Sequence, residues 1–178
     1  MVLMADGRHQ PLSKLKQGDW VRCDQQGAVV AMVECVVETK CYNGYANLVV
    51  LPSSGLKITP WHPVKLDGKW CFPADVAAPA QIPCPSVFSF VLSTGGTLVL
   101  NGIQAVSLAH GLGGAVGEWS SLPDGSDILY HPFFSTHRVL RSLAVCKGWQ
   151  DGYVQLPPTC VLRDGATGLV CGLTQQEA

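Results

Sequence analysis

The chain has 178 residues, 12 Lys and Arg against 13 Asp and Glu, and 47% hydrophobic against 14% charged residues. With a mean hydropathy of +0.22, this excludes a disordered chain and leaves room for one well-buried core with an appendage. The basic residues are scattered, which excludes a nucleic-acid face, and no apolar run approaches the roughly twenty residues of a membrane span.

The opening MVLMADGRHQ lacks both a basic segment and a long apolar one, so no signal peptide is expected and a cytoplasmic location is favoured. MVLM reads as a strand running into the turn ADG. PLSKLKQGD carries leucines at the spacing of one amphipathic turn closed by Gly18, the only helix expected ahead of residue 110. GDWVRC precedes the turn DQQG. The β-branched AVVAMVECVVETK is too long for one flat strand, so a bend or bulge is expected within it.

YANLVVLP and GLKITP flank SSG as one hairpin, and HPVKL and KWCFP flank DGK as another. SVFSFVL and TLVLNGIQAVSLAH lie on either side of STGG. With 19 Gly and 12 Pro at such spacings, the expected class is all-β. After His110 the texture changes: GLGGAVGEWSSLPDGSD reads as a loop, and HPFFSTHRVLRSLAVCKGW carries Val139, Leu140, Leu143 and Ala144 at helical spacing. The expected organisation is a β core over residues 1–110 and a C-terminal extension over 111–178 that packs on it and contains a short helix.

The eight cysteines include no C-x-x-C pair, which argues against a zinc ribbon or a thioredoxin-type motif. Several lie in apolar runs, where a free cysteine behaves as a small hydrophobe. The expectation is mostly reduced structural thiols, with the even count leaving disulfides open. The five tryptophans, Trp20, Trp61, Trp70, Trp119 and Trp149, read as core anchors. No cofactor or metal site is expected; His131 and His137, joined by His62 or His110 and a cysteine, are the nearest approach to a zinc set, without ligand spacing to support it.

TPWH is the stretch that carries chemistry. Taken alone, Thr59 closes a turn and His62 is a core histidine with a satisfied ring. In the order VLMADG…PLSKLKQGDWV, ITPWHPV…GKWCFP, VFSFVL…GGTLVLNGIQAVSLAHG and HPFFSTHRV, the sequence resembles the Hint fold shared by inteins and hedgehog autoprocessing domains. It is most similar to the Vint variety that accompanies von Willebrand factor type A domains. The resemblance covers roughly residues 1 to 140 and implies a horseshoe-like β fold of many short strands.

The resemblance also implies a reaction. A cysteine opening such a domain attacks the carbonyl before it and turns an amide into a thioester, and a histidine delivers a proton to the departing nitrogen. On that pattern Thr59 polarises the scissile amide, His62 is the general acid, and His110 lines the site, with Ser107 a weaker candidate as an exposed hydroxyl. Pro60 and Trp61 would hold the turn, Trp61 by anchoring it in the core.

Three departures from the pattern bear on activity. Met1 precedes the opening strand where the family has its cysteine further upstream, and Cys23, the next thiol, is a poor substitute because it follows a whole strand. The last asparagine is Asn101, so cleavage at a C-terminal junction and splicing are not expected. Ser89 and Gly96 stand where inteins often carry an aspartate and a histidine. The expected function is therefore self-cleavage at the N-terminal junction by an N–S acyl shift followed by hydrolysis or transfer, with the chain as given silent for want of the nucleophile.

The upstream segment of the same polypeptide is the expected substrate, a von Willebrand type A domain a possible neighbour, and neither nucleic acid nor membrane a partner. The alternatives are an inactive binding or structural module beside such a domain, and a hydrolase acting in trans through a cysteine within hydrogen-bond reach of His62.

Overall fold

The computed structural model describes residues 1–94, 96–113 and 124–174. Among these the chain is mostly strand, as expected. β1 (Val2–Leu3) and β2 (His9–Gln10) flank a turn in which Gly7 has φ +87°. The leucine-bearing turn that follows is a 3-10 turn over Leu12–Lys14, with the Lys14 amide donating to the Pro11 carbonyl at 3.0 Å.

β3 (Trp20–Arg22) pairs antiparallel with the long β4 (Val30–Lys40). The expected irregularity in β4 is a bulge. Its register against β10 (Ser86–Leu92) steps from Val91 opposite Cys35 to Leu92 opposite Val33, which leaves Glu34 without a partner. β5 (Tyr45–Val50) and β6 (Lys57–Ile58) form the first expected hairpin, and β7 (Val64–Leu66) and β8 (Lys69–Cys71) the second. The β7–β8 turn is Asp67-Gly68, both with positive φ, the primed two-residue geometry that Asp-Gly favours.

A helical turn not expected from the sequence, α1 (Pro73–Val76), precedes β9 (Ala80–Pro83). Pro73 opens it with its φ preset for a helix, and the Phe72 amide donates to the Asp75 carboxylate at 3.3 Å. The run TLVLNGIQAVSLAH divides at Asn101-Gly102 into β11 (Thr97–Leu100) and β12 (Ile103–Val106), again across two positive-φ residues.

The helix expected over residues 131–149 is shorter. α2 (His137–Leu143) begins only after Thr136, whose hydroxyl accepts the Arg138 amide. Ahead of it the His131 ring accepts the amides of Phe133 and Phe134, which fixes turns there instead. β13 (Tyr153–Leu156), β14 (Val161–Arg163) and β15 (Val170–Leu173) complete the described strands.

These strands build a six-stranded sheet in the order β2-β1-β11-β12-β7-β8, a sheet of β10-β4-β13 with β3 also on β4, a β6-β5-β9 sheet and the β14–β15 hairpin. None closes into a barrel. Two hydrophobic clusters lie between them. One gathers Val2, Val21, Val33, Val49, Leu98 and their neighbours from the strands before residue 106. The other places Phe133, Val139, Leu143 and Val154 against Cys35, Val37 and Val91.

β4 therefore serves both clusters, because its alternate side chains face opposite sides. β13 joins it in parallel register, Tyr153 opposite Val36, so chain from beyond residue 111 forms part of the same sheet. No described helix is long and apolar enough to cross a membrane.

Candidate functional site

The TPWH loop leaves β6 at Ile58 and enters β7 at Val64. Its turn is closed by the His62 amide donating to the Thr59 carbonyl at 3.3 Å, and buried Pro60 accepts the Ala74 amide at 3.1 Å, which ties the loop to α1. β7 pairs with β12 through Val64 opposite Ala105, and the Val106 amide donates to Pro63 at 3.3 Å. That pairing sets His62 beside the end of β12. Its Nε2 lies 2.9 Å from the Val106 carbonyl oxygen.

A carbonyl only accepts, so Nε2 carries the proton and Nδ1 is left with its lone pair. Burial pushes the His62 imidazole pKa down, and the Val106 carbonyl opposes this in part by favouring the cation. The cation is thus scarce at neutral pH, and wherever it forms it is a ready proton donor.

Thr59 and His62 line a cavity of about 400 Å³ together with Met1, Cys84, Ser89 and Val106. The remaining wall is largely apolar, with Leu48, Ile58, Phe88 and Leu98 among its side chains. Met1 is held at this cavity by Asn101, whose amide donates to the Met1 carbonyl at 2.9 Å and whose side-chain oxygen accepts the Met1 ammonium at 2.5 Å. Ser89 takes a place in the wall where a carboxylate would have added charge.

His110 lies elsewhere: it is 6% exposed and does not line the cavity. Its Nδ1 accepts the Leu112 amide at 3.1 Å. Its pKa is pushed down to about 4, first by burial and then by the charge that His62 and His131 would carry. His110 is thus near enough to His62 for the charge of one to disfavour that of the other, without lining the cavity.

Ser107, expected as an exposed hydroxyl, is buried and donates to the Gly96 carbonyl at 3.1 Å. Cys23 is buried and not among the cavity's lining residues, its carbonyl accepts the Thr97 hydroxyl, and burial raises its thiol pKa.

Trp61 does not anchor the loop in the core. It is 69% exposed and rests edge-on against Phe72, ring centroids 5.5 Å apart; the buried anchor is Pro60. Trp20 is also exposed, at 51%. Trp70 is part-buried under the Lys65 ammonium, Trp149 packs at the margin of the second cluster, and Trp119 falls outside the described residues.

No three histidine, cysteine or carboxylate side chains among the described residues come together as metal ligands. His137 is exposed at the start of α2, whereas His131 has its Nδ1 occupied by two amides. No described cysteine hydrogen-bonds the His62 ring. The thiol nearest in function, Cys84, shares the cavity but donates to the Ser86 carbonyl at 3.1 Å.

Two participants were not foreseen from the sequence. The Val106 carbonyl carries no side-chain signal at all, and Cys84 in PCP has neighbours that suggest only a turn.

No curated protein matches the chain. The family model of Vint, a Hint-domain, matches residues 1–172, so this chain belongs to the Vint family and has the Hint-type autoprocessing fold.

Proposed function

We propose that this domain is a cis-acting protein-processing element whose substrate is the upstream segment of its own polypeptide. The observation that carries the reading is that Met1, Thr59 and His62 share one cavity, so the chain enters the domain beside the acid and the hydroxyl. A thiol contributed just upstream would attack the carbonyl before it. The thiol proton passes to the free Nδ1 of the neutral His62 ring, a C–S bond forms, the C–N bond breaks, and the departing nitrogen takes that proton from Nδ1 of the resulting cation. The Thr59 hydroxyl would hydrogen-bond the scissile amide. Water or an external nucleophile then takes the acyl group from sulfur.

Met1 has a thioether with no S–H to lose, so on this reading the attacking thiol belongs to the segment ahead of it. A von Willebrand type A domain is the proposed neighbour, and residues 111–178 the proposed extension of the core.

A second reading, an inactive module that packs on its neighbours, is favoured by the exposed Trp20 and Trp61. One experiment separates the two: the natural upstream polypeptide fused to this chain, followed by gel and mass spectrometry with and without a small added thiol. Cleavage at one bond ahead of the domain that His62→Ala abolishes and Thr59→Val slows supports processing. An intact fusion under every thiol condition, or His62→Ala cut at the unmodified rate, supports the module.

A further inference from the structure

Eight thiols are present, and burial divides them sharply. Cys35 and Cys160, which feel the charge of Cys146, are 1% and 2% exposed, out of reach of a dissolved oxidant. Cys41 and Cys84 are both only part-buried, and they sit on adjacent segments. Cys41 follows β4 and Cys84 lies between β9 and β10. The Cys41 amide donates to the Pro85 carbonyl at 2.9 Å and the Cys84 amide to the Gly44 carbonyl at 2.8 Å, so backbone pairing holds the two segments side by side. Across that pairing burial raises the Cys41 thiol pKa, and Cys84 lies near enough for its charge to raise it further.

We propose that Cys41 and Cys84 are a dithiol site that a small disulfide of the glutathione class converts to an intramolecular disulfide. Thiols carried on segments that backbone hydrogen bonds already hold side by side join by side-chain rotation rather than strand rearrangement. Cys84, which faces the cavity, attacks one sulfur of the oxidant as its thiolate and releases one glutathione thiolate. Cys41 then attacks the Cys84 sulfur of the mixed disulfide and releases the second.

Two protein thiols are oxidised, one glutathione disulfide is reduced to two thiols, and the two protons lost from the cysteines end on the two glutathiones. Burial and the charge of Cys84 raise the Cys41 thiol pKa, which suits it to the second, intramolecular step, where proximity replaces reactivity. The site stands on this geometry and not on the processing reading, although Cys84 places its redox state on the wall shared with Thr59 and His62.

The test is to hold the folded full chain with oxidised glutathione near pH 8, block remaining thiols and map the peptides by mass spectrometry. The expected result is loss of two hydrogens and a cross-linked pair of peptides containing Cys41 and Cys84, with the other six thiols blocked. Cys41→Ser should stop at a glutathione adduct on Cys84 without a cross-link. A wild-type chain in which Cys41 and Cys84 remain blockable, or in which Cys146 pairs with Cys35 or Cys160 first, overturns the proposal whether or not the domain cleaves anything.

Discussion

His62 Nε2 and the Val106 carbonyl oxygen, 2.9 Å apart, join the TPWH loop to the end of β12. The contact orients the ring and selects its tautomer. At pH 7, nitrogen-15 NMR should find His62 neutral with the proton on Nε2, and a titration midpoint below 6.5 because burial disfavours the cation. A proton on Nδ1, or a midpoint above 6.5, would remove the proton route assigned to this ring.

Acid should weaken the fold through histidines that packing desolvates. His62, His110 and His131 all have lowered pKa values, His110 falling from 6.5 to about 4. Between those values the unfolded chain binds the proton and the folded chain does not. Stability is therefore full above pH 6.5 and falls as pH drops toward 4. Between pH 7 and pH 5 the His110 contribution to that fall is about 2 kcal/mol. Urea unfolding at pH 7 and pH 5 measures it, and His110→Gln should flatten the difference between the two.

Glu38 joins three strands. Its carboxylate accepts from Lys40 of its own strand, from Ser86 of β10, and from Tyr153 and Gln155 of β13. These hydrogen bonds, led by that of Lys40, hold its pKa down to about 2 from 4.5. The stabilisation is present above pH 4.5 and is lost as pH falls from there toward 2, a window below that of the histidines. Glu38→Ala should cost about 2 kcal/mol, since it removes several bonds to a charged acceptor. Hydrogen exchange should quicken first at residues 153–156.

Gly148 is constrained twice. Its φ is +86°, and a Cβ placed on it would overlap the Tyr153 carbonyl. Gly148→Ala should therefore destabilise by about 2 kcal/mol or more, through strain and displacement of β13. Thermal melting checks the size, and Gly18→Ala, where φ is similar at +88° but space is open, should cost less and so isolates the steric part.

Much of the β framework was legible because local chemistry encodes it. Strand runs bounded by SSG and DGK became hairpins, and the overlong β4 carries its bulge. Where the reading differed, tertiary competition or an overlooked turn was the cause. Asn101-Gly102 split one apparent run in two, and the helix after His131 lost its first turns to the side-chain acceptor of His131 itself.

Residue order alone thus marked an all-β chain of the Hint kind and singled out Thr59 and His62, since turn residues and a Thr-x-x-His block are local patterns. Tertiary structure alone decided that Met1 and Ser89 share their cavity, that His110 is buried outside its lining, and that Cys41 and Cys84 lie on paired segments. Those relationships arise from strand pairings between segments far apart in the chain. Burial and approach across such pairings depend on the whole register, which no short stretch of sequence contains.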